Sequence, residues 1–284
     1  MAICVLPPSR AGLAQQQPDV PYVPTPWNVV EAMLDIARVD AGDHLIDLGS
    51  GDGRVVLEAA RRYGARGVGI ELDPNLVSVA DREARRLGVS ARASFVSGNL
   101  FSFDFRAATV LTMYLLPKVN LQLRPRILSQ LRPGTRIVSH DFDMGRWKPD
   151  ARREVSVPNK SYGPPVSRIY LWYVPADVTG KWQWRLPVDG AEHAYEITFR
   201  QTFQEVSADA MADGGVTTAQ GVQLHGDSIS VTLTRDIAGR SVTHEFTGQV
   251  DGDSIVGRVR LAGGEEKMLD WRAARIARGK FDTE

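Results

Sequence analysis

Hydrophobic and polar positions fall into two textures along the chain. From about residue 26 to 175, short apolar strand-like runs alternate with stretches whose apolar residues recur at helical spacing. From about 178 onward, short runs alternate apolar with polar and are punctuated by Gly and Asp. The first texture predicts an α/β layer built on a parallel sheet, the second an antiparallel barrel or sandwich.

In the first part, strands are expected at His44–Leu48, Gly67–Glu71, Ala93–Val96, Thr109–Tyr114, Thr135–His140, Glu154–Val157 and Ser167–Val174. Helices are expected between the first five. One begins at Pro26, with Thr25 as N-cap and Val29, Val30, Met33 and Leu34 on one face, and the others cover Val55–Tyr63, Pro74–Leu87 and Pro117–Leu131. The last two strands follow each other too closely for a parallel crossover, so they are expected as an antiparallel hairpin at a sheet edge. The second part has about eight alternating runs, among them Trp182–Leu186, Tyr195–Phe199, Ser228–Leu233 and Val242–Phe246. Short strands of this kind close well into a small barrel. The one internal echo, Gly-Asp-Ser-Ile at Gly226–Ile229 and again at Gly252–Ile255, reads as two similar hairpin turns. Trp147, Trp172, Trp182, Trp184 and Trp271 are expected mostly in cores, where large aromatics dominate packing. The organisation expected is an arm over 1–24, an α/β domain over 25–175 and a β-barrel-like domain over 178–284.

Composition narrows the function classes. The 284 residues carry 34 basic and 34 acidic side chains, for a formal net charge of zero, so no global electrostatic argument favours nucleic acid or an anionic membrane. The single cysteine, Cys4, rules out an intrachain disulfide and a cysteine-based metal site, and the five histidines lack zinc-ligand spacing. No run approaches the ~20 apolar residues of a membrane span. Residues 1–24 hold five prolines and the run Gln15–Gln17, which reads as a disordered arm. A cytoplasmic location is expected, with export through a truncated signal segment as the alternative.

The sharpest local signal is Asp47-Leu48-Gly49-Ser50-Gly51-Asp52-Gly53-Arg54, between an expected strand and an expected helix. Glycines there let the backbone turn tightly and approach a ligand, and the helix N-terminus that follows favours an anionic group. Glu71, at the end of the second strand with Leu72 after it, is placed to accept ribose hydroxyls. Two further readings stay open. A nicotinamide-dependent oxidoreductase would need glycine at position 54, which is Arg54. A non-catalytic binding protein on the same scaffold would tolerate Asn99, described below.

The glycine segment, with Gly69-Ile70-Glu71-Leu72-Asp73, resembles the first two motifs of class I S-adenosylmethionine-dependent methyltransferases. The resemblance implies a Rossmann-like seven-stranded methyltransferase sheet. It implies S-adenosyl-L-methionine as cofactor, held at Asp47, Gly49, Ser50, Gly51, Glu71 and Leu72, with Asn99 and Leu100 at the adenine. Asn99 stands where that family often has an acid. Tyr22-Val23-Pro24-Thr25-Pro26 narrows the resemblance to lysine methyltransferases of the ATP synthase c-subunit and the adenine nucleotide translocase and their prokaryotic relatives, with Tyr22 and Thr25 folding over the cofactor. A protein lysine is then the expected acceptor, with a small molecule as the alternative and nucleic acid not expected, because Tyr114-Leu115-Leu116-Pro117 replaces the Asn-Pro-Pro-Tyr type of motif. Tyr114, His140 and Asp141, at the ends of strands four and five, are the candidate catalytic residues. Ligands of open α/β sheets sit at that edge.

Overall fold

A computed structural model describes residues 22–161, 163–188, 190–237, 239–262 and 266–283. The expected arm lies outside the described residues except for Tyr22, Val23 and Pro24, and so do Cys4 and Gln15–Gln17.

The first part forms a seven-stranded sheet of order β3-β2-β1-β4-β5-β7-β6. Its strands are β1 (His44–Leu48), β2 (Arg66–Glu71), β3 (Ala93–Ser97), β4 (Val110–Met113), β5 (Arg136–His140), β6 (Ala151–Ser156) and β7 (Val166–Tyr173). Strands β1 to β5 are parallel, and β7 runs antiparallel to both β5 and β6. The hairpin is therefore at the edge, as its short connection requires. Strand β6 begins three residues before the expected Glu154. Its polar run Arg152-Arg153 hides it from a reading of hydrophobic pattern, and pairing with β7 supplies the strand instead.

Four helices flank the sheet: α1 (Trp27–Ile36), α2 (Arg54–Glu58), α3 (Pro74–Arg86) and α4 (Pro117–Gln130). Helix α1 buries Val29, Val30, Met33 and Leu34, the stripe its periodicity predicts. Its N-cap residue is Pro26, not Thr25, and no side chain caps it. The Thr25 hydroxyl is drawn instead to the ring of His140, so a tertiary partner overrides the local preference. Helix α2 runs on into one π-helical turn, Ala59–Tyr63, which ends at Gly64 in left-handed conformation. Helix α3 does follow its local signals: Asp73 caps it by accepting from the Asn75 amide at 2.8 Å, and Pro74 opens its first turn.

The second part is a closed eight-stranded barrel, β8 (Gly180–Val188), β9 (Ala191–Thr202), β10 (Glu205–Ala212), β11 (Gly215–His225), β12 (Ser228–Ile237), β13 (Arg240–Asp251), β14 (Ser254–Ala262) and β15 (Lys267–Arg278). Closure pairs β15 with β8, which leaves no exposed edge. The repeated Gly-Asp-Ser-Ile marks two equivalent two-residue turns, since His225 pairs with Ser228 and Asp251 with Ser254. Trp182, Trp184, Tyr195, Phe246 and Trp271 fill the interior, with Trp184 and Phe246 edge to face at 5.1 Å. The cavity among them is about 10 Å³, no more than one water, and these side chains form a packed core. No helix among the described residues is long and apolar enough to cross a membrane.

Candidate active site

The β1–α2 loop carries the site's foundation. Gly49, Gly51 and Gly53 all have positive φ, of 74°, 54° and 81°. The amides of Gly49 and Ser50 both donate to the carbonyl of Ile70 at 2.9 Å, which ties the loop to β2. A side chain at Gly51 would place its Cβ 2.4 Å from the Tyr22 ring, so the arm lies directly on a bare stretch of backbone.

Glu71 faces that loop. Its Oε2 accepts from the Gly51 amide at 2.8 Å, and its Oε1 accepts from the amides of Leu72 and Asp73 at 2.7 and 3.0 Å. Three backbone donors thus fix the carboxylate at the lip of a cavity of about 680 Å³, a volume ordinary for a small-molecule site. Gly49, Ser50, Gly51, Glu71 and Leu72 all line this cavity, as do Asn99 and Leu100 after β3. The Asn99 Oδ1 accepts from the Phe101 amide at 2.8 Å, which turns the chain beneath the cavity wall. Ser50 Oγ is buried, has no partner among the described residues, and fills the space that a side chain at Gly69 would need.

Asp47, one residue before the end of β1, lines the cavity. Burial, reinforced by the charges of Glu71 and Asp52, pushes its carboxyl up to about 7, while a hydrogen bond from Thr112 at 2.7 Å pulls the other way. A bound cation would favour its ionised form.

The arm closes the cavity from above. Arg54 grips Asp52 at 2.5 Å, donates to the Thr25 carbonyl at 2.7 Å and lies over the Trp27 ring at 5.3 Å. Tyr22 and Thr25 both line the cavity. Burial and the neighbouring Asp52 charge raise the Tyr22 hydroxyl above its ordinary value, so it stays protonated.

At the other end the walls are Met113, which ends β4, Tyr114, Leu115 and Leu116 after it, and Phe142 after β5. Of the three candidate catalytic residues, Tyr114 reaches the cavity. His140 and Asp141 stand one layer behind it: the His140 ring stacks on Tyr114 at 3.8 Å, and Asp141 Oδ2 lies 3.5 Å from the Tyr114 hydroxyl. His140 is fully enclosed, bonded to Thr25 Oγ1 at 3.2 Å and Ser167 Oγ at 2.8 Å. Burial holds its imidazole down to about 4, against the pull of Asp141, so the ring is neutral at physiological pH. Asp141 is paired with the buried Lys160 at 2.6 Å.

Arg54, Phe142 and Lys160 are the members of the site that motif reading passes over. Arg54 could have been found as the last residue of the glycine segment. Lys160 and Phe142 carry no local signal, because their partners are distant in sequence.

Residues 47–151 match the model of the ANTKMT methyltransferase domain. The chain is 41% identical over 158 residues to a protein-lysine N-methyltransferase of Saccharolobus islandicus (strain REY15A), covering 55% of this chain and 95% of that protein. It is 38% identical over 133 residues to the adenine nucleotide translocase lysine N-methyltransferase of Mus musculus, covering 46% of this chain and 57% of that one. The chain thus spans nearly all of the Saccharolobus islandicus relative and little more than half of the Mus musculus one. Among solved structures, an RNA methyltransferase from Salinibacter ruber in complex with S-adenosyl-L-homocysteine is 52% identical with a TM-score of 0.50, over 55% of this chain and 96% of that one.

Proposed function

The chain belongs to the S-adenosylmethionine-dependent methyltransferases that carry the ANTKMT domain, and from that premise we propose that it methylates the side-chain amine of a protein lysine. The cofactor supplies an electrophilic methyl on a sulfonium. Asp47 receives its ammonium, the side-chain-free glycine loop lets its methionyl end approach the backbone, Glu71 takes its ribose hydroxyls, and Asn99 and Leu100 its adenine. The side-chain-free loop and the cavity of about 680 Å³ beside it fit such a group.

The observation that carries the lysine reading is the acceptor end of the cavity, where Met113, Tyr114, Leu115, Leu116 and Phe142 offer no basic side chain to a phosphodiester backbone. The one guanidinium that lines the cavity among the described residues, that of Arg54, is held by Asp52 at the cofactor end. The apolar end formed by Tyr114, Leu115, Leu116 and Phe142 then strips water from the amine and lowers its proton affinity. Tyr114 borders the path of the incoming amine. His140 and Asp141 orient that ring from behind rather than meeting the substrate. The chain's own residues bring the amine into line and exclude water.

The second reading, methylation of RNA, comes from the likeness to the Salinibacter ruber RNA methyltransferase. One experiment separates the two. The purified chain is incubated with methyl-labelled cofactor and separate protein and RNA fractions of a lysate. Label recovered as methyl-lysine after protein hydrolysis supports the proposal, and label confined to RNA overturns it.

A further inference from the structure

The family match ends at Ala151 and the barrel begins at Gly180, so the barrel lies outside the matched residues. One of its residues reaches into the methyltransferase core. Phe203 lies in the turn between β9 and β10 with φ of 52°, a left-handed conformation that a bulky residue adopts at a cost. It is 3% exposed, yet it packs with the apolar core beneath α4 and β5 rather than with the barrel interior. Its ring stacks on Trp147 at 5.9 Å with 9° between the planes, and the guanidinium of Arg124, from α4, lies over it at 5.2 Å. The turn is fixed to the barrel by Gln201, whose Nε2 donates to the Phe203 carbonyl at 2.6 Å while its Oε1 accepts from the Val178 amide at 2.8 Å.

What Phe203 supports is the segment from Phe142 to Trp147. Arg124 donates to the Met144 carbonyl at 2.9 Å, so the same side chain touches both the Phe203 ring and that segment. Phe142, at the segment's start, lines the cavity and stacks with Tyr114 at 6.1 Å. The glycine loop and Glu71 belong to β1 and β2, on the far side of β4 from this seam.

We infer that Phe203 is a positioning residue through which the barrel sets the acceptor end of the cavity, leaving the cofactor end independent. The inference rests on the methyl-transfer reading above. It assigns the barrel the task of holding Phe142, and through it Tyr114, in line with the transferred methyl.

Phe203→Ala in the full chain tests this with three readouts. Calorimetry with S-adenosylhomocysteine should show affinity unchanged within about twofold. Hydrogen exchange of the 142–147 amides should quicken at least about tenfold while that of 45–53 holds. Methyl transfer into the lysate protein fraction should fall at least about tenfold. Phe203→Leu, which keeps most of the bulk, should restore both exchange protection and transfer, and it decides the matter if the alanine variant does not fold. Lys148→Ala, which removes an exposed ion pair to Glu205 at the same seam, should change none of the three. Unchanged protection over 142–147, or cofactor affinity lost in step with transfer, overturns the inference. If the wild-type chain transfers no methyl at all, the functional reading fails, while exchange and cofactor binding still decide the coupling.

Discussion

The ammonium of Lys160 lies 2.6 Å from Asp141 Oδ2, and both side chains are almost wholly withdrawn from water. Lys160 also donates to the Val166 carbonyl at 2.9 Å, and Asp141 Oδ1 accepts from the Arg168 amide at 2.9 Å. The pair therefore ties the β6–β7 connection to the end of β5, directly behind Tyr114. Breaking such a pair strands a buried charge, which costs about 3–5 kcal/mol. Lys160→Met should lower stability by about that much in urea unfolding. Adding Asp141→Asn to it should recover most of the loss. Equal midpoints for the single and double variants would contradict the reading of Asp141 as a charge held in place.

Cofactor affinity should depend on pH through Asp47. Its carboxyl titrates near 7 in the free protein, and a bound ammonium lowers that value. A group whose proton affinity drops on binding contributes affinity that is present above its free-state value and lost as pH falls through it. Calorimetry with S-adenosylhomocysteine should thus show affinity falling up to about tenfold per pH unit below 7, and Asp47→Asn should flatten that slope.

The same carboxyl affects folding with the opposite sense. Its value in the folded chain lies above its ordinary one, so it costs stability as pH rises from about 4 towards 7 and more fully above it. Asp47→Asn should raise the melting temperature of the ligand-free protein at pH 8 and leave it little changed at pH 4.5. A variant that binds cofactor worse yet melts higher separates a functional carboxylate from a structural one.

Gly51 tests the contact between loop and arm. An alanine there meets the Tyr22 ring at 2.4 Å and must hold φ at 54°. Gly51→Ala should weaken S-adenosylhomocysteine binding at least about tenfold, and replacing Tyr22 by alanine in the same chain should recover only the steric part. The left-handed backbone still costs about 1–2 kcal/mol.

Much of the fold is legible in the sequence because its determinants are local. Mostly apolar runs such as Leu45–Leu48, broken by Asp47 alone, give the parallel strands, and the alternation of Trp182, Trp184 and Leu186 gives a barrel strand with its buried face. The tryptophans at 147, 172, 182, 184 and 271 are all buried, as their size predicts. The cofactor half of the site is legible for the same reason, since Asp47–Arg54 is one continuous segment and Glu71 ends the adjacent strand. What escapes depends on pairings that no local pattern encodes. Thr25 reads as a helix cap until His140, 115 residues away, takes its hydroxyl. Lys160 reads as a loop lysine until Asp141 is beside it, and Phe203 as a barrel residue until Trp147 stacks on it.

The proposed function requires the turn from Gly49 to Gly53 and the carboxylate of Glu71 to hold S-adenosylmethionine together. Titration calorimetry with S-adenosylhomocysteine, on the wild-type chain and on Glu71→Ala, is the decisive check. Charge-assisted hydrogen bonds contribute about 1.5–3 kcal/mol, so one-to-one binding is expected, weakened by about one to two orders of magnitude in Glu71→Ala, with no heat from NAD. Absence of binding to the wild-type chain, or equal affinity in the variant, would refute the assignment.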